Sequence, residues 1–480
     1  MAFNSYSYLL LLFFVVTLFW ALPVRFRRWH LIAVSLAFYA TWNLLFILAP
    51  LVVAVGVFVC LTRMLAESSK RLLWSWLGVA YVLTLLIFFR YHDFLAGGFD
   101  TLFAFFRLYP GQFLFVTSIP LGISFYSFEA ISCLIDARQK RIKQARFSDV
   151  CLYLMFWPNM VSGPIARWRE LVPQFSFNRP FELSAFISGI DRIVLGLVQK
   201  NLIANSLNEY VNEGFFAQRA QANTTLDNWF LALAFALQIY FDFAAYSNMA
   251  IGAAKLIGIN LPENFRFPYH AMNPSDFWSR WHMTLSRWIR DYLFFPVNIR
   301  FQGTPLPLYI SLVAIMGLVG LWHGAGLGFL TWGIMHGCFL VAYRAWENLR
   351  SARWPYLESS RIVNLVWQAA TIIAVLAAWV PFRATSLHQT TSMLRSMFFG
   401  FNIRMSYSSN FYLVTLLVAV VCGAEPYLAD TMVRFDRLAA RHMRLSIANL
   451  YLVRPLAYAV GLLLFLAFDE KNSQFIYFQF

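Results

Sequence analysis

The chain reads as an all-α protein that crosses a membrane many times, and three observations predict it. Its 480 residues are 60% hydrophobic and 19% aromatic but only 13% charged, with a mean hydropathy of +0.59, whereas soluble domains carry about 25% charged residues. The apolar residues gather into long runs, each close to the roughly 20 residues a helix needs to cross the hydrocarbon core. Basic residues collect in short segments between alternate runs, so the net charge of +15 is the imbalance expected of cytoplasmic loops, and no nucleic-acid partner is implied.

Taken in order, spans are expected near 6–22, 30–42, 45–62, 72–89, 113–135, 184–204, 228–257, 306–322, 326–343, 362–380, 410–427 and 453–468. The first run, Tyr6–Leu22, has no basic residues before it and no small-residue cleavage site, so it is read as a span and not as a removed signal. With the N-terminus outside, the inside segments carry Arg25, Arg27 and Arg28, then Arg63, Lys70 and Arg71, then the basic group Arg138–Arg146. Later inside segments carry Arg266 to Arg300, Arg344 to Arg361 and Arg434 to Arg444. The outside segment 205–227 sets Glu209, Glu213 and Asp227 against Arg219 alone. One parity thus satisfies nearly every loop, with Arg383, Arg395 and Arg404 as exceptions, and puts both termini outside with about twelve crossings, an all-α fold of about 11–12 transmembrane helices. No linker or repeat interrupts the chain, so residues 1–480 are expected to form a single domain.

Two segments depart from the spanning pattern. Between Asp149 and Ile165, Trp157-Pro158-Asn159 and Ser162-Gly163-Pro164 interrupt any helix twice, which predicts a re-entrant or in-plane piece. From Asn273 to Pro296 the spacing predicts one amphipathic helix, capped by Asn273 with Pro274 at its first position and Asp276 in its first turn. On a helical wheel Phe277, Trp281, Leu285, Trp288, Tyr292 and Phe295 share one face, flanked by Trp278, Ile289 and Leu293, and Thr284, Arg280, Arg287, Arg290 and Asp291 share the other. Such a helix with a basic face should lie in the cytoplasmic interface against membrane lipids. His282 falls in its apolar sector.

The stretch Pro305–Tyr343 contains no Asp, Glu, Lys or Arg. As one helix it would run about 58 Å at 1.5 Å per residue, nearly twice the roughly 30 Å hydrocarbon core, so it must fold as two spans. The break belongs at His323-Gly324-Ala325-Gly326, because glycines are the residues a helix tolerates least after proline. Broken helices in a membrane are buried in protein or line a cavity, and an ionisable residue there is a functional candidate. His323 therefore leads the candidates and His282 follows. A packing role stays open for His323, since Gly320, Gly324 and Gly328 also form a row of small residues.

His336 would point about 140° away from His323 on a continuous helix and is read as packing. Asp242 sits in the middle of an apolar run, where a charge costs about 2.5–3.5 kcal/mol, so an ion pair to another helix and a catalytic role are both open. Glu129 is read as structural. The arginines of the amphipathic helix suit either interfacial anchoring or the phosphates of a nucleotide-bearing donor such as coenzyme A. Cys60, Cys133, Cys151, Cys338 and Cys422 share no ligand spacing and are read as small buried hydrophobes, with no disulfide and no metal site. No G-x-S-x-G, H-E-x-x-H, P-loop or dinucleotide fingerprint is present. What remains is transfer of a group to a hydroxyl with a neutral histidine as base, since an imidazole with a pKa near 6.5 accepts a proton at physiological pH. A transporter or lipid-linked sugar flippase would call for paired intramembrane charges and an internal repeat, and neither is evident.

Several motifs resemble the membrane-bound O-acyltransferase family, in particular its bacterial branch that O-acetylates exported polysaccharides such as alginate and cellulose. They are Pro120-Leu-Gly-Ile-Ser-Phe125, Ser162-Gly-Pro-Ile165, Gln238-Ile-Tyr-Phe-Asp-Phe243, Asn273-Pro-Ser-Asp-Phe-Trp-Ser-Arg-Trp-His282, Arg290-Asp-Tyr292, Gly320-Leu-Trp-His-Gly-Ala325 and Phe475-Ile-Tyr-Phe-Gln-Phe480. The chain departs from the family at Phe295-Pro-Val-Asn-Ile-Arg300, where L-G-G-N-R is common, and at Asn248, where an Asp is common. The resemblance implies helices ringed around a central tunnel, His323 as principal catalytic histidine and His282 as the second. It further implies Asp242, Tyr240, Trp322, Trp281, Asn273, Asp276, Arg280 and Arg290 as substrate-binding or tunnel-lining residues. No bound cofactor is implied; acetyl-CoA would be the cytoplasmic donor substrate. A periplasmic SGNH-type acetyltransferase and a polysaccharide secretion complex would be the partners, at a bacterial inner membrane. Peptidoglycan O-acetyltransferase and teichoic-acid D-alanyl transferase use the same scaffold and stand as alternatives.

Overall fold

The computed structural model describes residues 1–105, 119–216, 223–299, 305–354, 360–441, 449–468 and 475–476. Every regular element among them is a helix. Six helical stretches among these residues are long and apolar enough to cross a bilayer, Leu44–Ala66, Ser68–Tyr91, Thr225–Leu256, Leu306–His323, Arg361–Arg383 and Ser409–Leu438. The chain is thus an all-α polytopic membrane protein. It divides into two compact units, Met1–Ile190 with Ala250–Pro262, and Asp191–Met249 with Glu263–Phe480.

The first unit begins with α1 (Tyr6–Ala21), α2 (Val24–Ala40), α3 (Leu48–Ala66) and α4 (Arg71–Phe105), followed by α5 (Ile123–Arg138), α6 (Phe147–Met155) and α7 (Trp168–Leu171). Arg25, Arg27 and Arg28 were expected in a loop and instead form the start of α2, whose N-cap is Pro23 with an extended ψ of 145°. Likewise α4 runs well past residue 89. The first part of the span expected at 113–135 lies outside the described residues; the rest is α5.

The segment Asp149–Ile165 is broken as its prolines and glycine require. After α6 ends at Met155 the chain turns irregularly to Ala166, and every residue from Phe156 to Ala166 is buried. Irregular backbone so deep must have its polar groups met by protein, and α5 supplies one partner. Glu129 Oε1 accepts from the Asn159 side chain at 2.7 Å and from the Ala166 backbone N–H at 3.1 Å. The Ser35 hydroxyl of α2 accepts from the Trp157 N–H at 3.2 Å.

The chain continues through α8 (Leu183–Val198), a π-helical turn at Gln199–Ala204, α9 (Asn205–Phe216) and α10 (Thr225–Leu256). Helix α10 is the most buried of the six spans, with 89% of its apolar window inside the protein against 28–44% for the others. An α-helix hydrophobic all round belongs in a protein core. Two short helices follow, α11 (Pro274–Arg280) and α12 (Met283–Ile289), then a π-helical turn at Arg290–Phe294 and α13 (Phe295–Asn298). The rest are α14 (Pro305–His323), α15 (Leu327–Arg353), α16 (Arg361–Arg383), α17 (Leu387–Phe399), α18 (Ser409–Arg441) and α19 (Arg454–Phe468).

Pro305–Tyr343 folds as two helices with residues 324–326 between them, where the glycines predicted the break. A Cβ on Gly320 would strike the Phe329 carbonyl oxygen, and one on Gly333 the Met316 carbonyl oxygen. The missing side chains are therefore what lets α14 and α15 approach so closely. Cys338, expected buried, is exposed on α15, one residue (about 100°) round the helix from Gly337, whose Cα side meets Val313 of α14. Arg383, an exception to the charge pattern, donates to Asn212 Oδ1 at 2.5 Å and lies 4.2 Å from the Phe216 ring.

Candidate active site

All the site residues predicted from the sequence lie in the second unit. Their geometry starts with a correction: Asn273–Pro296 is not one helix. Helix α11 starts as predicted, with Asn273 Oδ1 accepting from the Asp276 N–H at 2.8 Å and Pro274 at its first position. It ends at Arg280. His282 then takes a left-handed backbone, φ 40° and ψ 54°, before α12 begins. A non-glycine residue rarely adopts this region, and it persists only where the surroundings enforce it.

Asn264 is the enforcer. Its carbonyl oxygen accepts from the Met283 N–H at 2.8 Å, and its side-chain oxygen accepts from the Thr284 hydroxyl at 2.9 Å and lies 3.0 Å from His282 Nδ1. Its side-chain nitrogen donates to the Ser247 hydroxyl of α10 at 3.1 Å. Because the side-chain oxygen is already the acceptor, His282 Nδ1 must carry the proton and Nε2 is the basic nitrogen. Burial pushes the His282 ring down to about 3, outweighing the backbone hydrogen bond that raises it, so the ring is neutral at physiological pH. The break also reassigns two wheel positions. Thr284, expected on the polar side, is buried against Asn264, and Phe295, expected on the apolar face, is 49% exposed because a π-helical turn precedes it.

His323 is the last residue of α14 and is 4% exposed. Its ring centroid lies 4.7 Å from Trp322, 5.2 Å from Trp332 of α15 and 5.2 Å from Phe382 of α16. Trp322 in turn lies 6.4 Å from His282, which also lies 4.7 Å from Phe243 of α10. One indole therefore touches both candidate histidines, which the sequence places 41 positions apart. Trp281 joins the same cluster through Trp379 of α16 at 5.1 Å and Tyr240 at 6.4 Å, and the Tyr240 hydroxyl donates to Glu425 at 2.8 Å.

His336 was read as packing and belongs to this cluster. The 140° offset assumed a continuous helix, and the break at 324–326 removes that relation. Its ring lies 4.9 Å from Trp332, 5.2 Å from Trp278 and 5.8 Å from Phe277, and its Nε2 has no hydrogen-bond partner among the described residues. Its one sequence signal was the i, i+4 spacing from Trp332, which puts both rings on one helix face. Trp278 also lines a cavity of about 130 Å³ with Ser286, Arg290, Leu312 and Met316.

Other predicted residues have different partners. Asp242 is paired with Lys200 Nζ at 2.7 Å, both side chains almost fully buried, and its second oxygen accepts from the Ile476 N–H at 2.8 Å. The compensation a buried charge requires thus comes from the π-helical turn after α8 and from the C-terminal segment. Asn273, Asp276 and Arg280 satisfy one another: Asp276 accepts from Arg280 Nε at 2.8 Å and from the Met272 N–H at 3.0 Å. Arg290 is 53% exposed at its side chain and donates to Asp291 at 2.8 Å.

The chain is similar to known proteins over most of its length. A family model for the membrane-bound O-acyltransferase family matches residues 6–385. The chain is 34% identical over 439 residues to a probable alginate O-acetylase AlgI of Azotobacter vinelandii, covering 87% of this chain and 83% of the relative. It is 33% identical over 477 residues to the protein of that name from Pseudomonas putida, covering 95% of each. A peptidoglycan O-acetyltransferase of Helicobacter pylori is 31% identical over 417 residues, 80% of this chain and 76% of that one.

Proposed function

The chain belongs to the membrane-bound O-acyltransferase family, and from that premise we propose that it moves an acetyl group from cytoplasmic acetyl-CoA toward hydroxyls of an exported polysaccharide of alginate or cellulose type. The observation that carries the reading is that two buried imidazoles, each at a helix break, share the ring of Trp322. His323 acts as general base. It accepts the acceptor's hydroxyl proton as the oxygen attacks the acyl carbonyl, and returns it to the departing thiolate. His282, with Nδ1–H held by Asn264, keeps Nε2 in one orientation to align the thioester or steady developing charge.

The remaining predicted residues divide by their contacts. Tyr240, Trp281 and Trp322 are walls of the reaction space. Asn273, Asp276 and Arg280 hold the start of α11, and Arg290 offers a cation to the donor's phosphates. Asp242 ties α10 to the C-terminal segment. A bacterial inner membrane, a tunnel open to both faces and a periplasmic SGNH-type acetyltransferase complete the reading; the relatives' names support its acetylation of an alginate-type polymer.

The experiment replaces His323 with Ala in cells that secrete the polymer. With insertion into the membrane unchanged, acetyl signals in the NMR spectrum of the secreted polysaccharide should fall at least a hundredfold, within the range a general base contributes. Acetylation at the wild-type level would remove His323 from the chemistry. Acetyl loss confined to the cell wall would move the acceptor to peptidoglycan.

A further inference from the structure

We propose that the indole N–H groups of Trp332 and Trp379 form the oxyanion site of this centre. They would donate to the acyl carbonyl oxygen as it becomes negatively charged. The inference rests on the reading of His323 as the base. Both indoles are 1% exposed, and neither Nε1 has a hydrogen-bond partner among the described residues. A buried N–H left unpaired is uncommon, because it loses its hydrogen bond to water and gains nothing in return. Trp278, 5.8 Å from Trp332, carries another such N–H, but Trp332 and Trp379 are neighbouring rings, 5.9 Å apart and stacked at 28°, and both border Phe382 beside the base.

Their position relative to the base gives them a use. Trp332 lies 5.2 Å from His323, and Phe382 closes the group at 5.2 Å from His323, 5.3 Å from Trp332 and 5.3 Å from Trp379. The wall beside the imidazole is therefore aromatic and excludes water, and its only offered polarity from these two rings is hydrogen-bond donation. Fixed donors in a dry site favour a charge that develops on oxygen during reaction.

The step balances as follows. The alcohol's proton passes to His323 while its oxygen forms a bond to the carbonyl carbon of the acyl thioester. The carbonyl π pair moves onto oxygen, where the two N–H groups hold it. Collapse restores the carbonyl, breaks the carbon–sulfur bond and expels a thiolate that takes the proton from His323. Products are the O-acyl ester and the free thiol.

The test follows thiol release from acetyl-CoA by purified full-length protein in detergent with an alginate oligomer as hydroxyl acceptor, and sets His323→Ala, Trp332→Phe and Trp379→Phe beside the wild type. Removing one oxyanion donor lowers kcat about 10²- to 10³-fold in enzymes of this logic, so each Phe variant should lose at least tenfold in kcat with KM nearly unchanged. Benzothienylalanine at position 332, which keeps the ring shape with sulfur in place of N–H, should lose a similar factor and so separates the donor from the packing. Wild-type kcat with benzothienylalanine would overturn the proposal. If His323→Ala is inactive while the indole variants turn over normally, only the oxyanion site fails. If His323→Ala is active, the reading beneath it fails.

Discussion

Two helices of the second unit stop beside a histidine, and they stop for different reasons. Helix α14 ends at His323 because Gly324, Ala325 and Gly326 follow, a local cause written in consecutive residues. Helix α11 ends at Arg280 because Asn264 holds Met283, Thr284 and His282 from outside the helix. The first break is relaxed. The second stores backbone strain at His282 itself, one of four non-glycine residues at positive φ among those described. A catalytic base at the first site needs only a gap in the helix, whereas the histidine at the second is held in one tautomer and one orientation by the strain and its partner together.

The comparison breaks most easily at Asn264. Asn264→Leu removes the acceptor that His282 Nδ1 and the Thr284 hydroxyl share, and each lost hydrogen bond costs about 0.5–1.5 kcal/mol. Turnover should fall by about a hundredfold, the lower range for a positioned acid or base, and the Tm of the solubilised protein should drop clearly. At the other break the atoms nearest a Cβ on Gly324 belong to the Phe329 ring and not to backbone, so the loss in Gly324→Ala should be the smaller. Should Gly324→Ala prove the worse of the two, the contrast between a strained and a relaxed break is wrong.

The same contrast explains what the sequence disclosed. The paired spans at 305–343 were legible because charge-free length and clustered glycines act locally. So was the cap at Asn273, since every partner lies within four residues. The split of 273–296 was not legible, because the wheel assumes one rod and Asn264 acts from 18 residues away. The place of His336 in the aromatic cluster was not legible for a related reason: its angle to His323 holds only along an unbroken helix. Asp242 needed a partner, and the sequence said so, but Lys200 sits in a π-helical turn 42 residues away that no periodicity marks.

A smaller effect sharpens the account of His282 through pH. Its folded pKa lies near 3 and an unfolded histidine titrates near 6.5. The unfolded chain therefore binds the extra proton first, and this group's contribution to stability is complete above about pH 6.5 and declines as the pH falls toward 3. The Tm of the wild type should drop more steeply between pH 7 and pH 5 than that of His282→Gln, which removes the titration. Parallel slopes would mean that the ring is solvated. An acid limb of the activity profile that persists in His282→Gln belongs to another group.

The smallest effect isolates the strain alone. Left-handed backbone disfavours a residue with a Cβ by about 1–2 kcal/mol, and glycine is nearly free of that penalty. His282→Gly and His282→Ala both delete the imidazole, its contact with Phe243 and its hydrogen bond to Asn264, so their difference cancels everything but the backbone. Glycine's greater unfolded-state entropy opposes the gain by about 0.5–1 kcal/mol. His282→Gly should therefore be the more stable variant by roughly 0.5–1 kcal/mol, read as a Tm about 0.5–1 °C higher in a chain of this length. An alanine variant at least as stable as the glycine one would show that α11 and α12 can rejoin into a single helix once the ring is gone, and that the imidazole, not Asn264, keeps them apart.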